Sequence, residues 1–356
     1  MKKLLLICIL LVLVLLGCAR EATAPAAEAA PAAVAVTMAP VTAAPTAVPE
    51  QQISIDVSLQ ATDTPAPLDS PTPAPTPSPT ATPEAAPTPF SLVVIPDTQA
   101  LAYHHPEAFP LLRDWIEGHR EDDNILGILH TGDMVDNGFK DWEWDNIAPL
   151  LEAAHDGVFL LPVAGNHDMG TTAKSYSAYL KQPFLDAYPA EQRFEGGKML
   201  YRVLSAGGQD MLLLGVGWDS YLSNDAKRWL DQVMTEHGSM PCILITHGFL
   251  RSNGTYIRGV DQLIARYPAI RLVICGHARA YQTRVFSYDD DGDGIAERTV
   301  NVLMLNMQDR KDYAFRLLTF DPSTRSIHVS TWMLDGSPAK EIPDAGPVSF
   351  TLERAY

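Results

Sequence analysis

Five apolar runs in this chain each stop at a polar cluster, and that repeated ending constrains the fold more than any other feature. Leu92 to Ile95 stops at Pro96-Asp97, Ile125 to Leu129 leads to Gly132-Asp133, and Val158 to Val163 leads to Gly165-Asn166-His167-Asp168. Cys242 to Ile245 is followed by His247, and Leu272 to Cys275 by Gly276-His277. Runs this short and this apolar, with a sixth at Met211 to Val216, read as buried strands. Helical patterns lie between them: through Phe109, Leu112, Trp115 and Ile116, near Trp142 to Ala154, and over Asp225 to Glu236 and Val260 to Ala265. Strands alternating with helices predict a layered α/β domain. In open α/β sheets the ligand crevice lies beyond the carboxyl ends of the strands. Five polar groups delivered to one rim therefore predict a site.

After Ala280 the helical patterns stop. Alternation takes over in Thr283 to Tyr288, Thr299 to Asn306, Phe315 to Phe320 and Ile327 to Trp332, which predicts a run of antiparallel strands completing a second sheet.

The folded part begins at Phe90. From Ala19 to Pro89 there is no aromatic residue and no glycine, and fifteen of the chain's 28 prolines fall there. Such a stretch buries too little apolar surface to offset chain entropy, so residues 19–89 are expected to be an extended, partly polyproline linker. Ile53 to Leu59 alternates like a strand but stands alone. At the start, Lys2 and Lys3 precede an apolar run from Leu4 to Leu16 that is short for a membrane span and flanked like a signal peptide. Leu15-Leu16-Gly17-Cys18 resembles a bacterial lipobox, in which Cys18 carries the lipid; an ordinary cleaved signal or an uncleaved anchor is the competing reading. The expectation is a lipoprotein signal peptide at 1–18, the linker at 19–89 and one domain at 90–356. It would be exported and attached to the cell envelope only through its N-terminal lipid.

Three basic and seven acidic residues precede Phe90, so the folded part carries −13 of the formal −17. An acidic globule lacks the basic face that nucleic-acid binding requires. Cys242 and Cys275 sit inside apolar runs and read as buried free thiols. Nothing in the sequence sets an oligomeric state.

Asp carboxylates, His imidazoles and an Asn carbonyl suit divalent ions such as Mn, Fe or Zn. Asp133 is the candidate to bridge two of them, because one carboxylate offers two oxygens. Ions roughly 3.5–4 Å apart can hold a phosphate and activate water for in-line attack. Ile95-Pro96-Asp97-Thr98-Gln99, Gly132-Asp133-Met134-Val135-Asp136-Asn137, Gly165-Asn166-His167-Asp168, Thr246-His247 and Cys275-Gly276-His277 together resemble the five ordered motifs of calcineurin-like metallophosphoesterases. They look most like the bacterial exported branch with Asp-x-Gln in the first motif, and Leu303 to Gln308 and Phe315 to Pro322 share that look. The resemblance implies a four-layer α/β/β/α sandwich that hydrolyses phosphomonoesters or phosphodiesters with one or two divalent ions. It implies Asp133, Asn166, His247 and His277 on the second ion, and Asp97, Asp133 and Gln99 on the first. It makes His167 the proton donor or transition-state contact, with Asp136 holding its other nitrogen.

One position departs from the pattern. Arg279 stands where a second ligand histidine of the last motif belongs, and a guanidinium has no lone pair to give. Three outcomes stay open: a weakly held first ion, Arg279 replacing that ion and clamping phosphate beside Asn166, or a decayed site. The last is the alternative function, a non-catalytic surface lipoprotein binding a phosphorylated or anionic ligand. Separately, Asp289, Asp291 and Asp293 begin like a calcium loop, although no glutamate closes it at the twelfth position and Asp-Gly hairpin chemistry is the competing reading.

Overall fold

The computed structural model describes residues 87–155, 157–169, 187–257, 259–308, 313–340 and 347–356. The signal peptide, Cys18, the linker up to residue 86 and the alternating patch Ile53 to Leu59 lie outside the described residues. β1 (Phe90–Ile95), β2 (Ile125–His130) and β3 (Phe159–Pro162) run parallel side by side, and α1 (Gln99–His104), α2 (Ala108–His119), α3 (Asp141–Asn146) and α4 (Ala148–Glu152) fall between them. The expected helix from Trp142 to Ala154 is two short helices. Pro149 has no N–H to continue the ladder, so the chain breaks at Ile147.

The second half opens with a hairpin of β5 (Met199–Ala206) and β6 (Gln209–Val216), after the two-residue β4 (Arg193–Phe194). Gly207 and Gly208 close it at φ 57° and 75°, the paired left-handed geometry of a two-residue turn. α5 (Asn166–Met169) follows β3, and α6 (Asn224–His237) follows β6. The Ser223 hydroxyl caps α6 by accepting from the Ala226 N–H at 3.0 Å. β7 (Cys242–Thr246), α7 (Val260–Arg266) and β8 (Ile270–Cys275) continue the parallel order.

The tail corrects the sequence expectation. β9 (Tyr281–Tyr288) and β10 (Arg298–Leu305) join the seven-stranded sheet, and β10 lies parallel to β8. β11 (Ala314–Asp321), β12 (Ser326–Met333) and β13 (Ser349–Leu352) return to the first sheet, with β11 antiparallel to β1. The sheets thus run β13-β12-β11-β1-β2-β3 and β4-β5-β6-β7-β8-β10-β9. The tail strands are divided between them: β10 ends in one sheet at Leu305 and β11 begins in the other at Ala314.

Period-two alternation sorts most of the strands' side chains into three large cores. Leu92, Val94, Leu129 and Leu161 meet Leu213, Ile243, Ile245 and Ile274 between the sheets. Val93, Ile95, Ile128 and Leu160 point the other way onto Phe109, Leu112 and Trp144. Leu212, Leu214, Leu244 and Val273 cover Leu230, Val233 and Ile264. The result is helices, sheet, sheet, helices: four layers, as the resemblance implied. Cys242 and Cys275 are both buried and free.

Candidate metal centre

The polar clusters occupy the turns just past β1, β2, β3, β7 and β8, where parallel strands of both sheets end on one rim. Two of these turns need unusual backbone. Asp133 and His277 have φ of 50° and 66°, the left-handed region that non-glycine residues rarely enter and that collects at functional sites. Glycines allow the close approach. A Cβ at Gly276 would overlap Asp97 Oδ1 and come within 2.6 Å of the Thr131 hydroxyl, and one at Gly165 would overlap Asp133.

His247 is fully buried. Its Nδ1 lies 2.9 Å from the Thr131 carbonyl, which can only accept, so that nitrogen carries a proton and Nε2 is the one that faces the other ligand atoms. Three further donor atoms surround Nε2: Asn166 Oδ1 at 3.1 Å, His277 Nδ1 at 3.1 Å and Asp133 Oδ2 at 3.2 Å. A tetrahedral ion with bonds near 2.1 Å separates its ligands by about 3.4 Å. His247 Nε2 stands at nearly that spacing from each of the other three atoms, so the residues present fit a divalent ion, whose place a proton on His247 takes in the ion-free protein. Asp133, His247 and His277 form a metal-competent group by proximity alone. The electrostatics agree. Burial opposes charge on both His247 and Asp133. Their mutual attraction outweighs it, lifting His247 to about 9 and holding Asp133 below the usual carboxylate range.

Asp97 forms the other half and is fully buried. Burial pushes its carboxyl up to about 7; His247 pulls it down and Asp133 adds to the rise. Its oxygens accept from the His277 N–H at 3.0 and 3.2 Å, from Asn306 Nδ2 at 2.8 Å and from the Thr131 hydroxyl at 3.4 Å. Gln99, at the start of α1, is buried, and its carbonyl Oε1 accepts no hydrogen bond. A buried carbonyl without a donor costs about 1–3 kcal/mol, so this orphan also fits a cation. Arg279, by contrast, is exposed.

His167 lies beside both halves. Its backbone N–H donates to Asp133 Oδ1 at 2.9 Å, and its ring Nδ1 donates to the Asp136 backbone carbonyl at 2.8 Å. The Asp136 carboxylate, expected to hold that nitrogen, stands farther off at 3.4 Å. The carbonyl is the nearer partner because two N–H groups of this turn, from Asp136 and Asn137, are clamped by Glu143 Oε2 at 2.7 and 2.9 Å.

Several positioning groups escaped the sequence reading. Glu143 is one, a buried acid flanked in sequence by Trp142 and Trp144. Asp168 accepts from the N–H groups of Met134, Val135 and Gly165 at 2.7, 3.1 and 2.8 Å and so ties two of the loops together. Asn306 holds Asp97. His130, held near 3 by burial with His247 nearby, accepts from the Gly132 N–H at 3.1 Å as a neutral ring. Each ends or follows a strand or a motif, which was the available signal.

The acidic hairpin lies elsewhere, at the β9–β10 turn. Ligand oxygens of Asp289, Asp291, Asp293 and Glu297 come within 4.8 Å of one another, all exposed. Glu297 joins the three expected aspartates although its spacing is not that of a calcium loop.

A family profile described as calcineurin-like phosphoesterase matches residues 90–278. The uncharacterized protein YvnB of Bacillus subtilis (strain 168) is 28% identical over 255 residues. The match covers 68% of this chain, which spans about one fifth of that relative's length (20%). Among solved structures, purple acid phosphatase PPD1 from yellow lupin (Lupinus luteus) seeds superposes with a TM-score of 0.50 at 13% identity, covering 76% of this chain and 54% of that one. TT1561 of Thermus thermophilus gives 0.46 at 14%, covering 69% and 100%. The profile spans more than half of the chain and all five motifs; the chain belongs to the calcineurin-like phosphoesterase family.

Proposed function

We propose that the chain hydrolyses phosphoric mono- or diesters with divalent ions held on this rim. The observation that carries the reading is the convergence of Asp133 Oδ2, Asn166 Oδ1, His247 Nε2 and His277 Nδ1 at metal-ligand spacing. One ion belongs to that group, and a second to Asp97, Gln99 and the shared Asp133. When bound, such ions supply Lewis acidity for phosphate oxygens and activate water for in-line attack. The protein's own part is placement. Thr131 fixes the His247 tautomer, Asn306 and the His277 N–H fix Asp97, and the Asp136 carbonyl holds one nitrogen of His167. The ring's other nitrogen is then the one left to meet a leaving oxygen. Asn166 and Arg279 are the candidate substrate contacts.

The N-terminal sequence supports an exported domain on a long linker, lipid-anchored to the cell envelope at Cys18, and Asp97-Thr98-Gln99 supports the exported bacterial branch of the family. A Cys18→Ser chain that stays in the membrane fraction would remove the anchor. For the chemistry, aryl phosphates and bis-aryl phosphodiesters are assayed with Mn2+, Fe2+ or Zn2+ and with chelator. Turnover that needs an ion supports the reading. A wild type inert with every ion, yet binding phosphate, leaves the non-catalytic anion binder in its place.

A further inference from the structure

Gln99 Oε1 has a counterpart. Gln308 is also buried, and its side-chain Oε1 accepts no hydrogen bond either. Buried polar atoms in folded proteins usually find partners, and among the eleven buried side-chain atoms of the described residues without a hydrogen bond these two are the amide oxygens. Both belong to segments pinned at the Asp97 turn. Gln99 is two residues beyond Asp97. Gln308 follows β10 by three residues, and Asn306 and Tyr313 on either side of it are each bonded at that turn. Asn306 donates to Asp97 Oδ2 at 2.8 Å and to the His277 carbonyl at 2.9 Å. The Tyr313 hydroxyl donates to the Pro96 carbonyl at 2.8 Å. The Asn306 Oδ1 in turn accepts the Gln308 N–H at 3.0 Å, which fixes the backbone that carries the amide.

We infer that Gln308, with Gln99, gives a carbonyl oxygen to the ion on Asp97, doing the work that Arg279 cannot. This rests on the metal-dependent reading above. The Asp97 half is then built from oxygens alone, two carboxylates and two amides, and selects a hard cation such as Mn2+ or Mg2+. The half around His247 and His277, with two imidazoles, is the tighter position for Zn2+ or Fe2+.

The test is equilibrium dialysis of the full chain against Mn2+, with ions counted per chain and the paramagnetic resonance of bound Mn2+ as a second readout. Wild type is expected to take up two ions of unequal affinity. Gln308→Leu weakens the looser ion by at least about tenfold and leaves the tighter one alone. Gln308→Glu, which keeps the oxygen and adds charge, tightens the looser ion. Uptake of one ion only by wild type overturns the assignment. So does unchanged uptake in Gln308→Leu, which would make the amide's partner a trapped water. If Gln308→Leu fails to fold, Gln308→Glu decides alone: unchanged or weaker uptake overturns the inference. Two ions bound without any ester hydrolysis would sink the proposed function and spare this assignment. Hydrolysis with ion uptake indifferent to Gln308 would do the reverse.

Discussion

The two halves of the rim are built by different means. Around His247 the ligand atoms come from short motifs, and local groups fix each ring: Thr131 sets the His247 tautomer, while the left-handed turn at His277 and the Trp218 ring, 4.6 Å from it, set the other. Around Asp97 the carboxylate is held by groups that reach 209 residues along the chain, to Asn306, and amide carbonyls stand where an imidazole is absent. An imidazole points one lone pair and binds transition ions firmly; an amide oxygen is a weaker, harder donor. The comparison therefore predicts one firm ion and one loose ion, and each experiment below either erases or widens that difference.

The largest effect comes from Asp133→Asn, because both halves share this carboxylate. Turnover should fall about a thousandfold, on the scale of losing a principal electrostatic group of an active site, and metal analysis should find both ions weakened. Loss of only one ion would show that Asp133 does not bridge the halves.

Gly276→Ala separates them. The new Cβ overlaps Asp97 Oδ1 and crowds the Thr131 hydroxyl, so its nearest contacts all fall on the Asp97 side of the rim. Overpacking of this kind costs about 1–3 kcal/mol, so the loose ion should weaken by about tenfold to a hundredfold while the firm one holds. Calorimetric titration with Mn2+ measures both. Equal weakening of the two would mean that the rim responds as one unit.

What the sequence disclosed follows the same division. The His247 half was legible because Asp, His and Asn stood directly after apolar runs, and strand periodicity put those ends on one rim. The layers were legible for β1, β2, β3, β7 and β8. They were not for the tail, since alternation in Thr299 to Asn306 does not say whether the strand pairs parallel or antiparallel, and β10 runs parallel to β8. Glu143 belongs to no motif; only the fold turns it inward onto the Asp136 and Asn137 N–H groups. Asn306 and Gln308 carry no charge and sit far along the chain, so their bearing on Asp97 depends on a crossing between sheets that no local pattern encodes.

Acidity gives a third handle. With Asp97 raised to about 7, a proton competes for the loose position below that pH, and ion affinity there should climb about tenfold per unit up to 7 and then level. His247, raised to about 9, keeps the firm position proton-dependent up to about that pH. The sign for the ion-free protein is opposite. The fold favours protonated Asp97 and protonated His247, so stability declines as pH rises from about 4 to 7 for the first and from 6.5 to 9 for the second. Chelated protein should therefore melt lower at pH 9 than at pH 6. Ion affinities that both level at 7 would remove His247 from the ligand set.

The smallest expected effect is the one that would make the halves alike. Arg279→His restores an imidazole at the position where the family resemblance places a ligand, two residues past His277 on a turn that begins at Asp97's own hydrogen-bond donor. Because Arg279 is exposed, the exchange costs the fold little. The gain is limited by the amides already there: if Gln99 and Gln308 complete the oxygen half, a histidine must displace one of them, and the loose ion should tighten by no more than about tenfold. Its preference should shift from Mn2+ toward Zn2+ as a nitrogen enters. Competition dialysis of the two metals reads both changes at once. A far larger gain would mean that the half-site was truly short of a ligand and that the orphan amides serve something else. No gain, with selectivity unmoved, would mean that residue 279 does not reach the rim and that the asymmetry of the two halves is a settled property of this chain.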